Sequence, residues 1–337
     1  MIMLVGEAWG REEEDAGAPF VGASGRLLKA CLRLVGISYD ECYVTNVFNF
    51  RPKPSNDIKN LCGPKTEAIP GFPALVKGKY VRVEFKPEVD RLLQEIENVR
   101  PTLIVALGGT ASWALLHTSG IKGIRGTTYY HRCVRNGIYI KVLPTYHPAA
   151  VLREFKLKPI FMSDLDKARR ESTYREIRRP SRKIWVEPTL DDLHRFEREY
   201  ILPSNSLSID IETAGDQITC IGFAPTDSVA LVVPFFDKVR KNYWPTVEDE
   251  IAAWNWVKRI CALPKSIVGQ NFLYDLNFTW TKYGIPVPHV EDDTMLLHHA
   301  LHPEMEKGLG FLASVYTDEG SWKFMRKKHM TTVKRED

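Results

Sequence analysis

No run of apolar residues in this chain is long enough to cross a bilayer, which leaves no candidate for a spanning helix. No two cysteines form a CxxC pair. Cys31, Cys42, Cys62, Cys133, Cys220 and Cys261 are scattered, which argues against a zinc site and against a disulfide framework. A reducing cytoplasm fits that usage. Internal repeats and low-complexity tracts are also lacking, which excludes solenoid and propeller architectures. The apolar start, MIMLVGEAWG, has no basic segment before it and runs straight into glycines, so it reads as a first strand and not as a signal peptide.

What is present is the composition of an ordinary globular protein, 44 % hydrophobic and 26 % charged, in 337 residues, enough for two domains. The net charge of +4 is unevenly spread. From Leu152 to Lys183, eleven basic residues stand against five acidic ones. Such a stripe is the footprint of a polyanion binder, and a solvated helix with i,i+4 pairs is the plainer reading.

The first half alternates strand and helix signals. Met3–Val5, Tyr43–Val47, Thr102–Leu107 and Tyr139–Pro144 read as strands. Gly25–Val35, Pro87–Asn98 and Thr110–His117 read as helices, the second from Val89, Leu92, Leu93 and Ile96 at helical spacing. This pattern predicts an α/β fold, a parallel sheet covered by helices, with the site at the carboxyl ends of the strands. A basic helix is expected over Asp164–Ile177, then a boundary at Arg179–Pro180–Ser181. In the second half Ile184–Val186, Ser206–Glu212, Gln217–Phe223 and Val229–Pro234 read as strands, the last three as a meander. Leu190–Tyr200, Glu248–Ile260, Leu273–Tyr283 and Thr294–Leu301 read as helices of a mixed α/β domain.

Several motifs fall at expected strand ends: Gly6-Glu7-Ala8-Trp9-Gly10, Pro19-Phe20-Val21-Gly22, Thr45-Asn46, Arg125-Gly126 and His147-Pro148-Ala149-Ala150-Val151-Leu152-Arg153. In this order they resemble the three motifs and central strand of the uracil-DNA glycosylase superfamily, closest to the class whose members often carry an iron–sulfur cluster. The resemblance covers about residues 1–170 and implies a three-layer parallel-sheet glycosylase fold. It assigns Phe20 to stack on an extruded pyrimidine, Asn46 to read its edge, and His147 to stabilise the uracil anion. It gives Gly6, Ala8 and Gly10 to substrate binding, the glycine turns with Arg125 and Arg153 to phosphates, and Val151 or Leu152 to a wedge. Ala8 stands where the best-known members carry a water-activating Asp, so Glu7 becomes the candidate to order the water. Trp9 replaces the usual Pro, and Phe50 replaces a cluster cysteine. The class's upstream CxxC is absent and Cys62 alone cannot supply four thiolates, so no iron–sulfur centre is expected.

In the second half, Ser208-Ile209-Asp210-Ile211-Glu212-Thr213 puts two carboxylates on one face of a strand, and Gly269-Gln270-Asn271-Phe272-Leu273-Tyr274-Asp275 adds a third. Clustered carboxylates suit Mg²⁺ or Mn²⁺, which activate water against a phosphodiester. The pattern resembles the first two motifs of the 3′→5′ proofreading exonuclease domain of family-A DNA polymerases, an RNase H-like fold. It implies Asp210, Glu212 and Asp275 as catalytic metal ligands and Asn271 as a substrate contact. Asp293 reads locally as a helix N-cap. The family's last motif, Tyr-x-x-x-Asp, is not found: Tyr316 is followed four residues later by Gly320.

The expected organisation is a glycosylase-like domain over 1–165, a basic helical linker over 166–183, a truncated exonuclease-like domain over 184–322 and a polar tail over 323–337. Between two halves that both point to DNA, phosphate contact is the favoured reading of the basic stripe. The expected function is uracil excision from single- or double-stranded DNA in the cytoplasm, that of a bacterial host if the gene is a bacteriophage's. The exonuclease is expected to be weak. The alternatives are a non-catalytic DNA-binding or polymerase-accessory module, or an exonuclease completed in trans by a separate polypeptide. The expected partners are DNA and a DNA polymerase or that missing polypeptide, with no membrane.

Overall fold

The computed structural model describes residues 1–131, 139–239, 241–317 and 319. Cys133, Gly320 and the expected tail at 323–337 lie outside the described residues. The chain divides into two units, Met1–Arg178 with Gly310–Asp337, and Arg179–Leu309. Among the described residues no helix is long and apolar enough to cross a membrane.

In the first unit, strands β1 (Ile2–Ala8), β2 (Tyr43–Phe48), β3 (Leu103–Leu107), β4 (Tyr129–Tyr130) and β5 (Lys141–Thr145) form one sheet in the order β2-β1-β3-β5-β4. All neighbours are parallel except β4 with β5. The run Leu103–Leu107 is buried at every position, as a strand covered on both faces must be. Met3, Val5, Ile104, Ala106 and Val142 pack with Val89, Leu92 and Ile96 of α3 (Lys86–Val99) and Trp113 of α4 (Gly109–Leu116). The alternating residues Leu4, Val105 and Leu143 are equally buried and point the other way. There α6 (Lys158–Glu171) contacts β3 and β5, and α2 (Ala23–Leu34) packs on α6 and on α5 (Pro148–Arg153). These are the three layers expected. The chain leaves β1 for β2 on one side and returns to β3 on the other. That places a crevice outside the carboxyl ends of β1 and its neighbours.

The basic helix differs from the expectation. It runs from Lys158 to Glu171, with Pro159 in its first turn, and stops six residues before Ile177. Its end is fixed by Lys141, buried in β5, whose Nζ donates to the Glu171 carbonyl (2.7 Å) and carboxylate (2.8 Å). Ser172 and Thr173 donate their hydroxyls to the carbonyls of Arg169 and Arg170.

Arg125 is a second correction. It was expected to hold phosphate, but it is 2 % exposed and its guanidinium is committed to Asp164 of α6, with Nε donating to Oδ2 at 2.9 Å. Asp164 also accepts from Thr145 Oγ1 at the end of β5 (2.7 Å). Arg125 Nη1 donates to Ser314 Oγ (2.9 Å), and the Phe311 ring lies 5.7 Å from the guanidinium. Residues 310–317, expected inside the 184–322 domain, therefore count with the first unit. Lys167 Nζ adds a bond to the Thr317 carbonyl (3.0 Å).

The second unit holds β6 (Lys183–Trp185), α7 (Leu190–Phe196), β7 (Ser206–Ala214), β8 (Gln217–Ala224), β9 (Val229–Pro234), α8 (Val247–Cys261), β10 (Ser266–Gly269), α9 (Leu273–Tyr283), β11 (Val290–Asp293) and α10 (Thr294–Leu301). Its sheet runs β11-β10-β7-β8-β9-β6. β7, β8 and β9 form the antiparallel meander, and β10 and β11 continue it in parallel. That order is the mixed sheet implied by the RNase H-like resemblance. Ile209, Ile211, Phe223, Leu231 and Val233 meet Leu193 and Phe196 of α7 and Trp256, Val257 and Ile260 of α8. The helix expected over Leu190–Tyr200 is α-helical only to Phe196 and then widens into a π-helical turn, Glu197–Ile201. Glu197, at that change, accepts from Trp256 Nε1 (3.0 Å) and from the Arg259 guanidinium (2.8 Å).

Breaking the Arg125 pair strands a buried carboxylate at the centre of the first unit. Arg125→Ala is expected to lower stability by about 3–5 kcal/mol. Ser314→Ala, which removes one neutral partner, is expected to cost about 1 kcal/mol. Urea denaturation of the two variants checks the difference.

Candidate active site

Four strand ends deliver the expected residues of the first unit to one place. Gly6 of β1 and Asn46 of β2 are direct partners across the parallel pair. A Cβ on Gly6 would overlap Asn46 Oδ1 and lie 2.6 Å from Phe20 Cζ. The glycine is required because a buried amide and a buried ring share the space above it. Asn46 is held from behind by Arg91 of α3, which donates to the carbonyls of Asn46 (2.8 Å) and Val47 (3.1 Å) and is flanked by Glu88 and Glu95. Sequence reasoning missed Arg91. The signal was a lone arginine between acids at i−3 and i+4 on a helix otherwise read for its apolar stripe.

The loop carrying Phe20 is tied by Glu13 of α1 (Arg11–Ala16). Its carboxylate accepts from the Gly10 N–H (3.1 Å) and the Gly22 N–H (3.0 Å), joining both glycine turns. Glu13 was also missed, hidden in a run of acids that reads as a solvated face. Trp9 donates its backbone N–H to the Phe50 carbonyl (3.2 Å), and its buried indole Nε1 has no partner among the described residues.

His147 follows β5 and caps α5, its Nδ1 accepting from the Ala149 N–H (3.2 Å). A neutral ring must then carry its proton on Nε2. Burial pushes its pKa down to about 4, the Arg153 guanidinium adds to this, and Glu13 opposes it. The ring lies 6.0 Å from that of Phe20 at 28°. Gly108, at φ +94°, brings the end of β3 against it, where a Cβ would stand 3.0 Å from His147 Cβ. Glu7, half-buried beside Ala8, accepts a hydrogen bond from Thr110 Oγ1 in the first turn of α4. Burial raises its pKa above the usual carboxylate value. The Thr110 bond opposes that shift, the nearby Asp57 adds to it, and Arg153 works against it. Thr110 had no motif to reveal it.

Of the two wedge candidates, Val151 is corrected: it is fully buried in α5. Leu152 is 47 % exposed and Arg153 is exposed. Among the described residues, those at Phe50 and Cys62 do not fit an iron–sulfur cluster. Phe50 stacks on Phe85 (5.8 Å) and meets Phe48 edge-on (5.9 Å), so packing fills the position of the class's cysteine. The Cys62 thiol donates to the Ile58 carbonyl (3.6 Å) and is pushed up by burial, away from the thiolate a cluster needs.

In the second unit, Asp210 and Glu212 lie exposed on one face of β7, as alternation requires. Asp275 sits in the first turn of α9, 6 % exposed, accepting from the Ile211 N–H (2.9 Å). Burial pushes it up to about 6; the Ile211 bond opposes this, and Asp210 and Asp293 add to it. Asn271, at φ +56°, donates its N–H to Asp293, which also accepts from Phe272 and caps α10 at Met295. The N-cap reading of Asp293 is borne out. No group of three or more His, Cys, Asp or Glu side chains is assembled for a metal among the described residues.

A family model described as the uracil DNA glycosylase superfamily matches residues 1–169. The type-4 uracil-DNA glycosylases of Pyrobaculum aerophilum and Archaeoglobus fulgidus are each 34 % identical to this chain, over 169 and 171 residues. Each match covers 49 % of this chain and 74 % of the relative. Among solved structures, NrnC of Brucella melitensis matches at 15 % identity and a TM-score of 0.28, over 42 % of this chain and 62 % of that one. The chain thus spans less than two thirds of NrnC, and the fold of the second unit rests on its own strand order.

Two titrations follow from the geometry. In ¹⁵N NMR spectra at pH 6, His147 is expected to be neutral with its proton on Nε2, where an ordinary histidine is already largely protonated. Asp275 is penalised for its charge only in the folded state, so its unit loses stability as pH rises from the ordinary 3.8 to about 6. Asp275→Asn is expected to raise the melting temperature at pH 8 and leave it unchanged at pH 3.5, by calorimetry.

Proposed function

This chain belongs to the uracil DNA glycosylase superfamily, and we propose that its first unit hydrolyses the N-glycosidic bond of uracil in DNA. The observation that carries the reading is the convergence of Gly6, Phe20, Asn46 and His147 on one crevice. Extruding a base costs a few kcal/mol, which stacking on Phe20 and the Asn46 amide offset. That amide donates to O4 and accepts from N3–H, a pattern cytosine does not offer. As the bond to the sugar breaks, negative charge collects on uracil O2. A neutral imidazole with Nε2–H turned to that oxygen stabilises the departing anion more than the intact nucleotide. Its low pKa fits the role of a fixed hydrogen-bond donor, since no proton has to be given up. Glu7, steadied by Thr110, orders the attacking water. Leu152 enters the gap left by the base, and Arg153 takes a phosphate. No step runs through a cluster or a metal.

The second unit is proposed to be exonuclease-like, carried by Asp210, Glu212 and Asp275, with Asn271 beside the substrate. Trimming of 3′ ends in Mg²⁺ or Mn²⁺ is expected to be weak, because the motif that would bring a fourth carboxylate, Tyr-x-x-x-Asp, is not found: Tyr316 is followed four residues later by Gly320. A DNA polymerase is its proposed partner.

The test is an oligonucleotide with a single uracil, cleaved by alkali wherever an abasic site forms. The wild type is expected to cut it. Asn46→Ala, His147→Ala and Gly6→Ala are each expected to lose at least about a hundredfold in rate, the scale of a lost oxyanion donor. Equal cutting by wild type and variants, or none by either, would point to the non-catalytic DNA-binding reading.

A further inference from the structure

From the last turn of α5 onward, the segment from Leu152 to Lys156 is exposed at every position. Phe155, its fourth residue, begins a single 3-10 turn, Phe155–Leu157, and is 65 % exposed. Nothing in the assignment of the glycosylase motifs uses it. A single exposed apolar side chain is ordinary on a protein surface, so the meaning of this one lies in its neighbours.

Lys158 Nζ lies over the ring, 5.1 Å from its centroid. Lys156 pairs with Glu154, the residue before Phe155, at 2.7 Å, which places a second cation and its carboxylate partner at this lip. Arg153, exposed two residues before Phe155, ends the helix that His147 caps, which joins the lip to the crevice. An exposed aromatic ring with Lys158 over it and Arg153 and Lys156 beside it in the chain has the chemistry of a stacking platform for a nucleobase, with cations for the neighbouring phosphates.

We propose that Phe155 is a stacking platform for a base of the bound strand next to the extruded nucleotide, so that Leu152 fills the gap while Phe155 holds the neighbour. The inference deepens the reading of the first unit as a DNA glycosylase and rests on it for the register of the strand. It makes Phe155 a positioning residue: it touches a base that does not react, and it fixes where the strand lies when the target turns out. A base-stacking contact is tolerant of sequence, so the platform strengthens binding without selecting the neighbour's identity.

The experiment is a binding cycle on the full chain. Single-stranded oligonucleotides carry one 2′-fluoro-2′-deoxyuridine, whose fluorine retards glycosidic cleavage. The adjacent 5′ or 3′ position holds either an adenine or a tetrahydrofuran spacer with no base. Phe155→Ala is expected to weaken binding on the order of tenfold when the neighbour is adenine and to have no effect when it is the spacer, on one of the two sides. Phe155→Trp is expected to restore the wild-type pattern. Loss of the same size with and without the neighbouring base, or no loss on either side, overturns the platform. Because Phe155 is an exposed residue, its removal leaves the core packing untouched. Uracil release by the wild type is measured in parallel. No release, with a Phe155-dependent neighbour effect, would sink the glycosylase reading and leave the platform standing. Release with no neighbour effect would do the reverse.

Discussion

Gly6 and Asn46 face each other across β1 and β2, and the missing side chain at Gly6 lets the Asn46 amide and the Phe20 ring meet above the strand ends. Much of the first unit can be understood as support for that close approach. Arg91 pulls on the carbonyls of β2 from the helix behind it. Glu13 ties the two glycine turns that bring Phe20 in. Gly108 lets the end of β3 come up to His147. The contacts come from distant parts of the chain, and the parallel sheet is what gives them a common edge.

A second theme is the suppression of charge. Removal from water lowers His147 and raises Glu7 in the first unit and raises Asp275 in the second. An uncharged imidazole suits a site whose anion forms only as a bond breaks. The ion pairs that are fully buried, Arg125 with Asp164 and Lys141 with Glu171, lie behind the strands and fix the framework.

The sequence made the architecture legible because periodicity reports burial. The continuous apolar run at 102–107 and the stripe at Val89, Leu92 and Ile96 each became the element they suggested. Gly6, Phe20, Asn46 and His147 were legible from motifs. Arg125 was misread because an arginine beside a glycine turn looks the same whether it meets phosphate or a buried aspartate; Asp164, 39 residues on, decides it. Val151 and Leu152 are adjacent apolar residues on a short helix, and only packing separates the buried one from the exposed one. Glu13, Arg91 and Thr110 escaped notice because they hold the backbone or another side chain, and such roles carry no local pattern.

The helix α11 (Leu309–Tyr316) gives the chain an unusual order of assembly. Its Ser314 joins Arg125 and Asp164, yet it is synthesised after the whole of the 179–309 unit. On a ribosome the first unit would emerge with its strands complete and its Arg125 guanidinium short of one partner. The second unit would then have to be made before that partner arrived. The 179–309 unit is therefore an insertion of about 130 residues in the sequence of the first unit, and a truncation at any point inside it would remove the first unit's last piece.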